Sequence, residues 1–550
     1  MLIRCVVTAL AAVTVVSGVS VPRGAPEFPP SYTASGYILL PYCELREPFT
    51  AYYDGESDRS RIDYYDGEMK TFVGKSGTFK VVWSPNEKTH IPELNCYEAG
   101  PAKSQSILPD LTNFTFVRVE PCETDSTHIV KPLLRGADKC YRYEKKVDNF
   151  GRVSKYTFWA SQDDDNTPIP VRYVMMGYDS LLGSHFDKYE VVYTDYTPGP
   201  VEDDLFQVKT VIDKECTSFP SPPGVSTTHL FNPMAEFIDE KDSHVHEHFE
   251  HFKSTHGKAY GHQAEEIIRK DNFRHNQRFV NSMNRRNLSY ALKLNHRADW
   301  SQDEFRLLRG RLQFTSQKSM AREFPKEQYS DRVEPDYVDW RLEGAVTPVK
   351  DQAVCGSCWS FGTVGHIEGA YFRKFGELVR FSEQQLVDCS WNAGNDACDG
   401  GLDFIAYHYI QKYGLASNDQ YGPYRGIDGK CKDLEISNKP ISTLKGYRNV
   451  TTVEDLRKAL AFVGPISVSI DASRPSLSFY SHGVYSDPDC SSTELDHSVL
   501  AVGYGTLHGE PYWLIKNSWS TYWGNDGYIL ISQKNNMWAL PRRQPTSSCR

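Results

Sequence analysis

Gln352-Ala353-Val354-Cys355-Gly356-Ser357-Cys358-Trp359-Ser360-Phe361 places two cysteines and a tryptophan just ahead of a segment in which Phe361, Val364, Ile367 and Tyr371 recur at helical spacing toward Gly376. The spacing predicts a helix opening at Cys358, with one stripe to bury and its first turn facing a cleft. A thiol attacks only as the thiolate, so a nucleophilic cysteine needs its pKa lowered. The positive end of a helix and a neighbouring imidazolium both do this.

The base that takes the thiol proton has to come from elsewhere in the chain. Leu495-Asp496-His497-Ser498-Val499-Leu500-Ala501-Val502-Gly503-Tyr504-Gly505 offers His497 at a β-prone run. An amide or carboxylate must hold that imidazole in the productive tautomer. Lys516-Asn517-Ser518-Trp519 supplies Asn517, with the Trp519 ring beside it to shield the bond from water.

These three stretches together resemble the papain and cathepsin L family. The resemblance implies an α+β protease of two lobes, one helical and one β-barrel-like, with Cys358 and His497 facing each other across the cleft. It implies hydrolysis of peptide bonds in proteins through a Cys358 thioester, with no cofactor and no metal. Gln352 and the backbone N–H of Cys358 would hold the oxyanion. Disulfides are implied for Cys355 with Cys398 and for Cys389 with Cys431. Gly400 and Gly401 would line the cleft with backbone against an extended substrate, beside Asp496 and Trp519. Leu402, Asp403, Ser469 and Leu495 fall where relatives build the pocket for the second residue before the scissile bond. An apolar occupant is the default there, although Asp403 would also admit a basic one.

Upstream, Glu265, Arg269, Phe273, Asn276, Val280 and Asn284 lie along one face of a predicted helix. They resemble the E-R-F-N-I-N signature of papain-family propeptides, which implies an intramolecular inhibitor over residues 244–332, removed by a cut near Asp331 to Asp336, with activity favoured at acidic pH. Lys293, Asn295, Arg297 and Asp299 retain only part of the companion G-x-N-x-F-x-D motif. His244, His246, His248 and His251 lack zincin spacing and read as the solvated start of a helix. If they charge together in acid, their repulsion would loosen the propeptide.

The front of this 550-residue chain reads differently. Arg4 and the apolar run that follows suggest a signal peptide over residues 1–20. Residues 21–225 are rich in Tyr and in alternating runs, which predicts a β-rich domain. Asp66-Gly67 suggests a two-residue hairpin turn, and strands are expected at Thr78–Trp83, Phe114–Val119 and Tyr189–Tyr196. The domain faintly resembles ependymin-like half-barrels with an apolar, lipid-accommodating face. Its Cys43, Cys96, Cys122, Cys140 and Cys216 allow two disulfides with one thiol left over. A Pro- and Ser-rich stretch, Thr217 to Thr228, marks a boundary, with a linker at 226–243 and the protease at 333–550. The whole resembles the insect haemocyte two-chain cysteine proteinases, which implies that the front domain stays associated after cleavage.

A formal charge of −10 argues against nucleic-acid partners. No later run approaches the roughly 18 to 20 apolar residues of a membrane span. With a leader in place, the expected location is secreted or lysosomal, and Asn113, Asn287 and Asn449 fit the glycosylation pattern. The family's C-terminal cysteine, expected after Asn535-Asn536, is missing, so Cys549 alone is left as a partner for Cys490. Two other readings follow: a non-catalytic secreted binding protein that works through its front domain, and an exopeptidase.

Overall fold

The structure is a computed structural model that describes residues 24–85, 89, 91–122, 139–163, 165–219, 227–313, 322–441, 444–534 and 544–549. The signal peptide, much of the Pro- and Ser-rich boundary and the C-terminal segment from Asn535 to Arg543 lie outside these residues.

The N-terminal strands are β1 (Ser31–Leu40), β2 (Leu45–Asp54), β3 (Arg59–Tyr64), β4 (Met69–Gly74), β5 (Gly77–Pro85), β6 (Pro92–Ala99), β7 (Thr115–Pro121), β8 (Lys139–Asn149), β9 (Arg152–Gln162), β10 (Pro168–Asp179), β11 (Ser184–Pro198) and β12 (Thr217–Ser218). They make one sheet in the order β12-β6-β5-β4-β3-β2-β1-β11-β10-β9-β8-β7, antiparallel except where β12 meets β6. Alternating side chains turn one face of the sheet into an aromatic layer that includes Tyr32, Phe49, Tyr64, Phe158, Tyr173 and Tyr193, while Phe72, Val81 and Cys96 form a separate buried cluster with Ile212. Cys96–Cys216 and Cys122–Cys140 are the two disulfides, and Cys43 is the thiol left over.

Three expectations change here. The β3–β4 turn is longer than two residues: Tyr64 pairs with Met69, and Tyr65, Asp66 and Gly67 all have positive φ. Tyr65 is drawn out of the ladder because its hydroxyl bonds Ser282 Oγ at 2.7 Å. Segment 226–243 carries the short helices Thr228–Phe231 and Met234–Ile238, and Met234, Phe237 and Ile238 pack into the aromatic layer. The apolar face that the ependymin resemblance offers to lipid is thus covered by the chain itself.

The helices Ser243–His256 and Gln263–Met283 are separated at Gly257, whose φ of 60° ends the first in the left-handed conformation that glycine tolerates best. The second helix is held on two faces. On one face it holds the segment that follows it: Arg269 Nη1 donates to both Glu304 oxygens at 2.7 and 2.8 Å, and Asn276 donates to the Ala298 and Trp300 carbonyls. Asn284, at the helix end, exchanges hydrogen bonds with the Leu292 backbone. Toward the β-sheet, Arg152 meets Asp271, Arg278 meets Asp187 and Glu236, and Arg285 with Ser282 meets Glu47. Strand Tyr290–Leu292 then extends the C-terminal sheet antiparallel to Tyr480–Tyr485.

The partial companion motif still works. Asn295 caps the Ser478 carbonyl, Arg297 reaches the Trp519 carbonyl and Asp351, and Asp299 takes Lys258 and Tyr260. The four-histidine reading is corrected. His246 and His251 are exposed, while His244 is buried and stacked on His229 at 4.3 Å, with His248 edge-on to both. The inward pair is held by packing against the short helix Thr228–Phe231. Among the described residues no group of three or more His, Cys, Asp or Glu is placed to hold a metal ion.

The C-terminal part, residues 333–550, has two lobes. One packs helices Cys358–Phe375, Glu383–Cys389 and Asp403–Tyr413 around Trp359, Val364, Leu386 and Ile405. The other is a curled sheet of Ile466–Ile470, Tyr480–Tyr485, His497–Leu507, Glu510–Lys516 and Tyr528–Ser532. Cys355–Cys398 and Cys389–Cys431 are bonded. Cys490 carries a free thiol, and the strand Gln544–Cys549 sets Cys549 opposite Leu444 instead. Asn113 and Asn287 are exposed, but Asn449 is buried in a strand paired on both sides, so it does not suit a glycan. No helix among the described residues is long and apolar enough to cross a membrane.

Candidate active site

Cys358 is the first residue of the 18-residue helix Cys358–Phe375, as its sequence spacing predicts. Its thiol is free and fully buried. Burial pushes it up to about 11, against the pull of the Ser498 and Gly310 backbone groups turned toward the sulfur.

His497 begins the strand His497–Leu507, paired with Ile470 across the sheet. Its Nε2 lies 2.8 Å from Asn517 Oδ1, which also accepts the Ser518 N–H at 2.8 Å. With Asn517 oxygen as acceptor, His497 carries its proton on Nε2, leaving Nδ1 as the basic nitrogen. That Nδ1 is buried without a protein hydrogen bond. Trp519 covers the imidazole at 4.8 Å between ring centres, and Trp523 stands edge-on behind it at 5.3 Å. Burial lowers the imidazole to about 4, opposed by the Asn517 bond. Thiol up and imidazole down means that both groups rest neutral in this state.

Gln352 is held at both ends. Its N–H donates to the Ser518 carbonyl at 2.9 Å, and Ser518 Oγ donates to Oε1 at 2.7 Å. This aims Nε2 at the Leu308 carbonyl, 3.0 Å away. Ser518 is therefore a positioning residue that the sequence reading missed; its adjacency to Asn517 was the available signal.

What fills the cleft is propeptide. Gly401 donates to the Gly310 carbonyl at 2.8 Å and Leu312 donates to the Gly401 carbonyl at 3.2 Å, a parallel pairing centred on Arg311 and Gly401. The approach is so close that a Cβ on Gly310 would sit 1.7 Å from the Gly356 carbonyl oxygen. On the cleft wall, a Cβ on Gly400 would meet the Gly310 carbonyl at 2.8 Å. Leu402, Asp403, Ser469 and Leu495 are all buried around this segment. Asp496 accepts Arg311 N–H on its carbonyl at 3.0 Å and pairs with Arg309 at 3.2 Å. The sequence reading found the cleft residues but not 308–312 as their occupant, because that run has no periodicity to mark it.

With a stretch of its own chain lying over thiol and imidazole alike, the molecule is a cysteine protease in latent form. Residues 334–546 match the family model "Papain family cysteine protease", and residues 249–305 match "Cathepsin propeptide inhibitor domain (I29)". The "Cathepsin L-like peptidase" of Aedes aegypti is 43% identical over 310 residues, which cover 53% of this chain and 89% of that relative. "Procathepsin L" of Rattus norvegicus is 41% identical over 301 residues, 52% of this chain and 86% of its own. The solved structure of digestive procathepsin L 3 from Tenebrio molitor larval midgut superimposes with a TM-score of 0.51 at 34% identity, covering 55% of this chain and 99% of that one. The chain belongs to the papain family of cysteine proteases and is a cathepsin L-like proteinase zymogen with an I29 propeptide. The non-catalytic reading is not favoured.

Proposed function

We propose that the chain is an endopeptidase zymogen in which Cys358 is the nucleophile, His497 the general base and acid, Asn517 its orienting amide and Gln352 the side-chain donor to the oxyanion. The observation that carries this is the hydrogen bond from His497 to Asn517, which leaves Nδ1 basic in the same cleft as a free thiol at a helix tip. In this scheme the Cys358 proton passes to Nδ1 and the sulfur bonds the peptide carbonyl carbon. Gln352 Nε2 and the Cys358 N–H hold the oxyanion. The imidazolium then gives its proton to the departing amine, and water cleaves the thioester.

Propeptide 308–312 blocks that sequence by occupying the Gln352 donor and the Gly401 backbone. Cleavage in the exposed segment near Asp331 to Asp336, which includes the largely exposed Val333, would release it. Activation in acid, in a secreted or lysosomal setting, fits the neutral thiol and imidazole of the closed state. The His508 contact to the Thr89 carbonyl would hold the β-domain to the cleaved product, while its ion pairs to helix Gln263–Met283 hold it to the propeptide.

Covalent labelling by a thiol-directed peptidyl epoxide after acid treatment tests the assignment. Modification at Cys358 that disappears in Cys358→Ser is expected; acid-treated protein that stays unmodified refutes it. Internally quenched peptides blocked at both ends should be cut.

A further inference from the structure

Three histidines meet where the β-domain joins the propeptide. His229, on the short helix Thr228–Phe231, stacks on His244 at 4.3 Å between ring centres with 7° between the planes. His248 stands edge-on to both, at 4.8 and 5.9 Å. His229 Nδ1 is shut off from solvent without a hydrogen-bond partner, and Gln277 Nε2 lies 2.5 Å from His248 Nδ1, which makes that nitrogen an acceptor. An imidazolium donates from both ring nitrogens, so these two rings are neutral as placed here, and neutral rings stack as flat aromatic groups do. All three histidines stand ahead of residue 249, where the match to the I29 propeptide model begins.

The charges around the stack suit one imidazolium and not three. Glu236 sets a carboxylate 3.5 Å from His244 Nε2, but the same group takes Arg278 Nε at 2.6 Å. One layer out, helix Gln263–Met283 sets Arg278 and His275 on Asp187, and Arg285 on Glu47. At the start of helix Ser243–His256, Asp242 is taken by Arg274. From β5, Lys80 adds a cation on the His229 side, its Nζ lying over the Phe219 ring that meets Phe231 edge-on. Burial first, then His244 and His248, hold the His229 imidazole well below its ordinary value, against the pull of Glu236.

We propose that His229, His244 and His248 form an acid-operated latch between the β-domain and the first propeptide helix. It is closed while the rings are neutral, and it opens when two or more of them take a proton, freeing helix Ser243–His256 from helices Thr228–Phe231 and Met234–Ile238. The closed stack binds fewer protons than three solvated histidines, so its stability is full above the ordinary histidine value of about 6.5 and is lost as pH falls below it. Where opening takes up two protons, the open population rises by up to about a hundredfold for each pH unit. The latch touches no cleft residue, so it stands independently of the reading of Cys358 and His497 as the hydrolytic pair.

The test uses the full chain carrying Cys358→Ser, so that acid starts no self-cleavage, and follows amide hydrogen exchange corrected for the intrinsic effect of pH. Between about pH 7 and about pH 5, exchange over residues 228–256 should quicken by about 10² or more relative to helix Cys358–Phe375. His229→Phe combined with His244→Phe keeps two flat rings in the stack and removes two sites of charge, so it should keep residues 228–256 protected over the same range. A double variant that opens at the same pH as the parent overturns the proposal, and so does a parent whose exchange over these residues stays unchanged. If the double variant does not fold, exchange of the imidazole C–H group, which follows the charge of each ring, decides in the parent chain. His229 should stay neutral to a lower pH than the exposed His246; a His229 that titrates together with His246 overturns the proposal.

Discussion

Replacing Arg285 by methionine should detach the propeptide helix from the β-domain. Glu47 is 0% exposed, and its carboxylate takes Arg285 Nε at 2.5 Å, Arg285 Nη2 at 2.7 Å and the Ser282 hydroxyl at 2.8 Å. With Arg285 gone, the Ser282 hydroxyl, itself bonded to Tyr65, is what remains of the hydrogen bonds described to the buried Glu47 carboxylate. Removing one partner of a buried ion pair costs about 3–5 kcal/mol, since the other charge is left unpaired. At about 1.4 kcal/mol per tenfold, that is a loss of roughly 10² to 10⁴ in the docking equilibrium. Amide hydrogen exchange over helix Gln263–Met283 reads this directly as faster exchange. The double variant Glu47→Leu with Arg285→Met should recover much of the protection, because it removes both charges together. If Arg285→Met exchanges like the parent, or the double variant exchanges faster than either single one, the interface is not held by this pair.

Gln352→Ala should reduce kcat of the activated enzyme by about 10² to 10³ while KM moves little, as measured on blocked peptides. Burial holds His497 down to about 4, and burial with Arg297 and Lys258 holds His296 down to about 3. A base depressed in the closed state contributes stability that is full above its ordinary value near 6.5 and is lost as pH falls toward the closed-state value. Latency should therefore hold at neutral pH and fail progressively between about 6.5 and about 4, and His296→Gln should move the midpoint of Cys358 labelling to lower pH. Asp187 is also pH-sensitive: burial would raise it, but Arg278 and His275 outweigh that and hold it below the usual carboxylate range. Its contribution to β-domain docking is present above pH ~4 and lost as pH falls below that, so exchange in helix Gln263–Met283 should quicken in strong acid.

The catalytic half was legible because its chemistry demands particular residue types in a fixed order. Cys358, His497 and Asn517 can be named from three short stretches, and the helical stripe from Phe361 to Tyr371 orients the first of them. The β-domain strands were legible too, since alternation marks a sheet with one buried face. What stayed hidden was contact between units. Asp271, Arg274, Arg278, Ser282 and Arg285 carry no sequence pattern that marks a partner, and only the tertiary structure sets Glu47 and Asp187 opposite them. Met234, Phe237 and Ile238 sit in a run too short to show a period, so a plug in the aromatic layer looked like a linker. Asn449 matches an acceptor pattern that carries no information about its neighbours in the sheet.

Helix Gln263–Met283 is a wall shared by two rooms. A cut beyond its C-terminal end severs only a covalent tether, since the charges on its far side belong to a body that the cut does not touch. The freed inhibitor would therefore leave the cleft still folded against the β-domain, the two being one covalent piece on the same side of the cut. Parting that piece from the protease would then turn on contacts made outside the cleft, His508 against the Thr89 carbonyl among them.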